Sequence, residues 1–241
     1  KQVIDNQFYR EDVKSFKTSC DHHTTTTYCL TAKKQLWGWG YNGVHQFGLG
    51  HYNNVKEPKL LFDGKTVKRV WCSNGHYTTA FLQDENNEIW ACGYAGQGAT
   101  GTTVTTRDQT TWTKVVGLNA DINKNIVDIH LTGGSRDGKY TSVYLHYRDN
   151  YGNGQLMVCG RNGYGQLALG HKNQVNQFTR IPWGPRNIKS VMCDDPEGQS
   201  HGTLFVTDGD DSLWFAGKND YYYAEGNSNN HPIFTRVKGL L

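Results

Sequence analysis

Short apolar runs, each closed by a glycine, recur along the chain. Leu36-Trp37-Gly38-Trp39 precedes Gly40, Ile89-Trp90-Ala91-Cys92 precedes Gly93, Leu156-Met157-Val158-Cys159 precedes Gly160, and Leu213-Trp214-Phe215-Ala216 precedes Gly217. A second kind of run lies between them. Its clearest form is Val67-Lys68-Arg69-Val70-Trp71-Cys72, then Asn74-Gly75-His76, then Thr78-Thr79-Ala80-Phe81-Leu82. It returns as Ile188-Lys189-Ser190-Val191-Met192-Cys193 leading to His201 and Leu204-Phe205-Val206, and more loosely from Ile126-Val127-Asp128-Ile129 to Val143-Tyr144-Leu145. These runs are strand length, rich in β-branched and aromatic residues, and bounded by Gly, Asn and Asp. No stretch sustains a helical period, and 28 glycines would interrupt most helices. The pattern predicts an all-β chain.

The units share a longer motif as well. The segment from Trp37 to Gly50 returns from Val158 to Gly170, and both read G-x-N-G-x-x-Q, then an aromatic or leucine, a small residue and Leu-Gly. A unit repeating at roughly fifty residues or more, with four short strands in each, has the makeup of a propeller blade. The expected division is one β-propeller domain over 1–241, with blades at 36–88, at 89–154 with an insertion, and at 155–211. The ends read as half-units: a closing half-blade over 1–35 and an opening half-blade over 212–241. Together they would make a terminal blade closed by both chain ends, pairing strand edges that would otherwise be exposed. Gly40, Gly50, Gly160 and Gly170 stand at equivalent turns, where positive φ is expected.

The motif resembles the regulator-of-chromosome-condensation repeat, whose core reads roughly WG-x-N-x-x-GQLG-x-G and later V-x-x-V-x-x-G-x-x-H. Residues 37–50, 67–82, 155–170 and 188–206 match well, and the units starting at Ile89 and Ser212 match loosely. The resemblance implies a β-propeller, in a family whose usual ring has seven blades. Two architectures fit: a compact ring of about four blades, or a segment of a larger propeller. The complementary half-units favour the compact ring.

Bulk properties narrow the function. A net charge of +3 with scattered basic residues disfavours nucleic acid as a partner. No apolar stretch approaches a membrane span, so no membrane insertion is expected. The chain begins at Lys1, which suggests a segment of something longer. Cys92 and Cys159 hold one place in successive units, and Cys72 and Cys193 another. Equivalent positions in different blades do not approach closely enough for a disulfide, so these four read as core residues. Cys20 and Cys29 could face each other across a hairpin. No C-x-x-C is present, and neither a metal nor a cofactor is expected.

Candidate chemistry is sparse. Gly133-Gly134-Ser135-Arg136-Asp137-Gly138-Lys139 has phosphate-loop spacing, but Tyr140 stands where a magnesium-binding hydroxyl is needed and no helix follows. Asp208-Gly209-Asp210-Asp211 offers oxygen ligands for calcium, yet it occupies the same turn as Asp84-Glu85-Asn86-Asn87, where such residues serve the turn itself. His22, His76 and His201 sit at equivalent sites and read as turn ties. With no catalytic arrangement in view, the chain is expected not to be an enzyme. Binding is expected where the repeat is broken: at Trp112 in a polar insertion over 100–125, and at Tyr221, Tyr222 and Tyr223. Loop expansions at 133–140, 147–154 and 194–202 are further candidates. The first reading is a non-enzymatic recognition module, a receptor-binding or adhesion domain of a longer protein such as a viral or phage fibre. Its partner would be a protein or glycan receptor, its setting a larger assembly at an extracellular or virion surface. The resemblance implies the alternative: an intracellular module that binds a small GTPase or a chromatin protein, in the manner of a nucleotide exchange factor.

Overall fold

The computed structural model describes residues 8, 11–20, 23–104, 107–133, 140–194, 202–219 and 228–237. They form four antiparallel sheets of four strands, each strand pairing with the next in sequence. The first sheet holds Val13–Cys20 (β1), Thr25–Thr31 (β2), Leu36–Gly40 (β3) and Val55–Leu60 (β4). The second holds Val67–Cys72 (β5), Thr79–Asp84 (β6), Ile89–Tyr94 (β7) and Asp108–Lys114 (β8). The third holds Ile126–Leu131 (β9), Ser142–Arg148 (β10), Gly154–Gly160 (β11) and Val175–Arg180 (β12), and the fourth Ser190–Asp194 (β13), Thr203–Thr207 (β14), Leu213–Gly217 (β15) and His231–Arg236 (β16). A short helix, Ala120–Lys124 (α1), capped by the Asn119 side chain, joins the second and third sheets.

Among the described residues three cores lie between the four blades, so the two inner sheets are packed on both faces and the two end sheets against one neighbour each. Tyr28, Leu36 and Phe47 of the first blade meet Val70, Leu82 and Trp112 of the second. Trp71, Phe81 and Ala91 then meet Ile129, Leu145 and Phe178, and Tyr144, Val158 and Leu167 meet Leu204, Ala216 and Phe234. Alternate residues of one strand therefore serve two cores: on β6, Leu82 faces the first and Phe81 the second. The glycines that end the apolar runs carry the positive φ expected of them. Gly40 sits at φ 111° and Gly160 at 101°, and a Cβ there would lie 2.2 Å from the Thr25 carbonyl oxygen and 2.4 Å from that of Thr141.

The fold corrects the expected blade boundaries. Residues 1–35 do not close a blade opened at 212–241; β1 pairs with β2 and β2 with β3, while β15 pairs with β14. The physical reason is a tight turn. Thr31 N–H reaches the Gln35 carbonyl at 3.0 Å and Lys34 N–H reaches that of Thr31 at 2.9 Å, with Lys34 at φ 62°. A hairpin closed over so few residues costs far less loop entropy than joining the two chain ends. Neighbouring sheets touch through their first strands, β1 with β5, β5 with β9 and β9 with β13. Among the described strands no comparable contact joins the fourth sheet to the first. The blades thus make an arc, with Phe16 (68% exposed) on its first strand and Met192 (67% exposed) on β13.

Candidate functional site

The loops joining first to second and third to fourth strands gather at one end of the arc; the hairpin turns and the connections between sheets gather at the other. The long loops of the first and third blades are built alike. Asn42 donates to the His51 carbonyl at 2.7 Å and accepts from Phe47 N–H at 3.1 Å; Asn162 donates to the His171 carbonyl at 2.8 Å and accepts from Leu167 N–H at 2.9 Å. Gln46 accepts from Val44 N–H and Gln166 from Tyr164 N–H. Tyr28 and Tyr144 donate their hydroxyls to the Gln46 and Gln166 carbonyls at 2.7 and 3.2 Å. All four amide side chains are fully buried. Their hydrogen bonds fix loop shape without help from a partner, so the loop surface is pre-organised.

On that surface aromatic and cationic side chains form a belt across all four blades. The residue after each anchoring glycine supplies one member: Tyr41, Tyr94, Arg161 and Lys218. Tyr41 hydrogen-bonds to His76 Nε2 at 2.9 Å, with ring centroids 4.7 Å apart. His76 packs on Tyr77 at 4.9 Å, Tyr77 on Tyr94 at 5.3 Å, and the Arg107 guanidinium lies 5.8 Å from the Tyr77 ring. Further along, Arg161 stacks 3.5 Å above Tyr140 and reaches Tyr164 at 5.6 Å, while Lys218 lies 5.1 Å from Tyr164. Burial pushes the Tyr94 hydroxyl pKa up, and Tyr77, Asp108 and Tyr140 add to the shift while Arg107 opposes it, so these groups share one electrostatic neighbourhood. Most members are half-buried, which holds each ring in place and leaves part of it for contact.

The expected site residues fall differently. Trp112 is not on a loop: the insertion at 100–125 contains β8 and α1, and Trp112 on β8 is only 9% exposed. Its ring lies against Gly48 of the preceding blade and 6.1 Å from Phe62, so it is a core residue. Tyr221, Tyr222 and Tyr223 lie outside the described residues, as do His22, His201, most of the 133–140 loop and 195–201. His76 does belong to the belt. Asp208 is a turn residue: Oδ1 accepts from Asp210 N–H at 3.0 Å and Ser212 N–H at 2.9 Å, and Oδ2 accepts the Trp214 indole at 2.8 Å. Asp84 holds Asn86, Glu88 and Trp90 in the same way. Among the described residues no three His, Cys, Asp or Glu side chains converge as a metal site would require. Cys20 and Cys29 form no disulfide: Cys29 lies opposite Phe16 rather than Cys20. Tyr41, Tyr94, Arg161 and Lys218 were missed as site residues, although their fixed offset from the anchoring glycine marks them.

No protein-family profile matches the chain. It is 25% identical over 144 residues to the secretion-regulating guanine nucleotide exchange factor of Bos taurus, covering 56% of this chain and 26% of that protein. It is 26% identical over 202 residues to the E3 ubiquitin-protein ligase HERC2 of Homo sapiens, covering 81% of this chain and 4% of that protein. Yeast RCC1 (Prp20), solved with Kap60, superposes with a TM-score of 0.71 at 16% identity, over 96% of this chain and 50% of that chain. The chain thus spans half of the solved yeast chain, 26% of the bovine relative and 4% of the human one. These likenesses, to intracellular proteins with such repeats, correct the expectation of an extracellular or virion surface. The fibre-adhesin reading draws no support from them.

Proposed function

Starting from a β-propeller built of regulator-of-chromosome-condensation-type repeats, we propose that this chain is a non-enzymatic module that binds a protein partner through the belt from Tyr41 to Lys218. One observation carries the reading. The belt runs over neighbouring blades, the first and third of which have long loops fixed by buried Asn and Gln side chains, and tyrosine and arginine are among the residues on which protein interfaces concentrate their binding energy. The finer reading is a partner of the small-GTPase kind. A Bos taurus relative is described as a guanine nucleotide exchange factor, and the structure of Prp20p from Saccharomyces cerevisiae was reported with its binding to Gsp1p and histones. Charge favours the first of those two partner types: Arg107, Arg161 and Lys218 present positive charge, which would repel a basic histone surface and attract an acidic one.

The test is calorimetric titration of the chain with a panel of nucleotide-free and GDP-bound small GTPases and with core histones. Binding to a GTPase should weaken at least tenfold in Arg161→Glu and in Tyr77→Ala, with unfolding temperatures close to the parent. Histone binding that survives both substitutions, with no GTPase bound, would refute the assignment.

A further inference from the structure

We propose that a second binding site lies at the opposite end of the arc, where Trp183 stands beside a groove between the third and fourth blades, and that it takes an extended, acidic, proline-containing segment of a protein partner. The groove measures about 450 Å³, within the range of binding pockets. Leu156, Ile188 and Phe234 line it, each less than a tenth exposed. Trp183 stands over it, 69% exposed.

The connection that carries Trp183 is held from both ends. It runs Ile181-Pro182-Trp183-Gly184-Pro185-Arg186 between β12 and β13. Ile188 N–H donates to the Gly154 carbonyl at 2.9 Å, Gly209 N–H to the Arg186 carbonyl at 3.3 Å, and Gly154 N–H to Asn187 Oδ1 at 3.1 Å. Gly184, at φ 154°, lies so close to Phe234 that a Cβ would come within 2.6 Å of its ring. Two prolines stiffen the rest. The two other connections between sheets turn their large side chains inward: Phe62 packs on Trp90 and Trp112, and Leu118 and Ile122 pack into the second core. The third alone holds a tryptophan outward on a stiff backbone, which lowers the ordering cost of binding.

Charge and shape select the occupant. Arg180 and Arg186 line the groove and, among the described residues, no carboxylate does, so a negative segment is favoured. An indole face beside a shallow apolar floor suits the flat ring of proline in an extended chain.

A peptide array graded in charge and proline content, probed with the whole chain, should be enriched in acidic proline-containing heptapeptides. The best of these, fluorescein-labelled, should bind at least tenfold more weakly to Trp183→Ala and to Arg186→Glu, and equally well to Arg161→Glu, which alters only the belt. Because Trp183 is exposed, its replacement should leave thermal unfolding unchanged. An array with no enriched class, equal capture of basic peptides, or undiminished binding by both groove variants would overturn the proposal.

Discussion

The loop after β3 and the loop after β7 occupy the same place in successive blades and are built on different principles. The first is held by side chains: Asn42 and Gln46 bind its backbone from within, as Asn162 and Gln166 do in the third blade. The second has lost those amides. It keeps only the backbone bonds that the three loops share: Gly98 N–H to the Ala95 carbonyl and Gly101 N–H to that of Gly98, matching His45 to Asn42 and Gly48 to His45 in the first. Yet all three loops reach the same target, the fourth strand of the next blade. Gly48 lies against Trp112 on β8, Gly98 against the backbone of Asn176 on β12, and Gly165 against Pro232 on β16. Gly50 N–H also bonds to Thr110 and Gly170 N–H to Pro232, stitching blade to blade. What persists between units is the clasp on the neighbour; the means of shaping the loop is free to vary.

The strongest way to break this comparison is to obstruct the clasp where no side chain supports the loop. A Cβ on Gly98 would fall 2.5 Å from the Asn176 Cα at φ 79°, so backbone must move. Gly98→Val should cost on the order of 4 kcal/mol, combining overpacking with left-handed strain. Denaturant unfolding would check it; a loss below about 1 kcal/mol would mean the glycine contact is not what joins these blades.

Asn162→Ala tests the other solution. It strands the buried Leu167 N–H and releases the exposed His171 segment, and should cost roughly 1–3 kcal/mol. Asn42→Ala should behave alike, and the two should be additive because they lie in non-adjacent blades. Strong coupling would show that the arc unfolds through the loops as one network.

Which parts were legible follows from the same physics. Strands were readable because each apolar run ends at a glycine whose Cβ would strike a carbonyl, as at Gly40 and Gly160. The phase of the blades was not. A cyclic repeat reads the same wherever it is cut, and only the local turn at Thr31–Gln35 decides that β2 pairs with β3. Trp112 was misplaced because its neighbours Thr110, Thr111 and Thr113 are polar, and its strand buries Gln109 and Trp112 rather than alternate positions. The belt was half legible. Tyr41 and Arg161 follow a motif glycine, but Tyr77 and Tyr140 come from other loops and meet them only in three dimensions.

The smallest expected effect concerns the turn aspartates, and it separates a structural carboxylate from a metal ligand. Burial alone would raise the Asp208 pKa, but hydrogen bonds from the Trp214 indole and from the Ser212 and Asp210 N–H groups, with the Arg236 charge, hold it below its ordinary 3.8. A carboxyl whose folded pKa is depressed stabilises the fold above its unfolded value, and that contribution is lost as pH falls through the lower, folded one. Stability should therefore hold from neutral pH to about 4 and decline below it, with a smaller decline in Asp208→Asn. Asparagine keeps an oxygen for the two N–H groups but has no second acceptor for the indole, so the variant should also be slightly weaker at pH 7. Thermal unfolding from pH 2.5 to 7 measures both quantities. Added calcium should move neither curve, because both carboxylate oxygens already accept from the protein; a calcium-dependent rise lost in Asp208→Asn would make this turn a cation site instead.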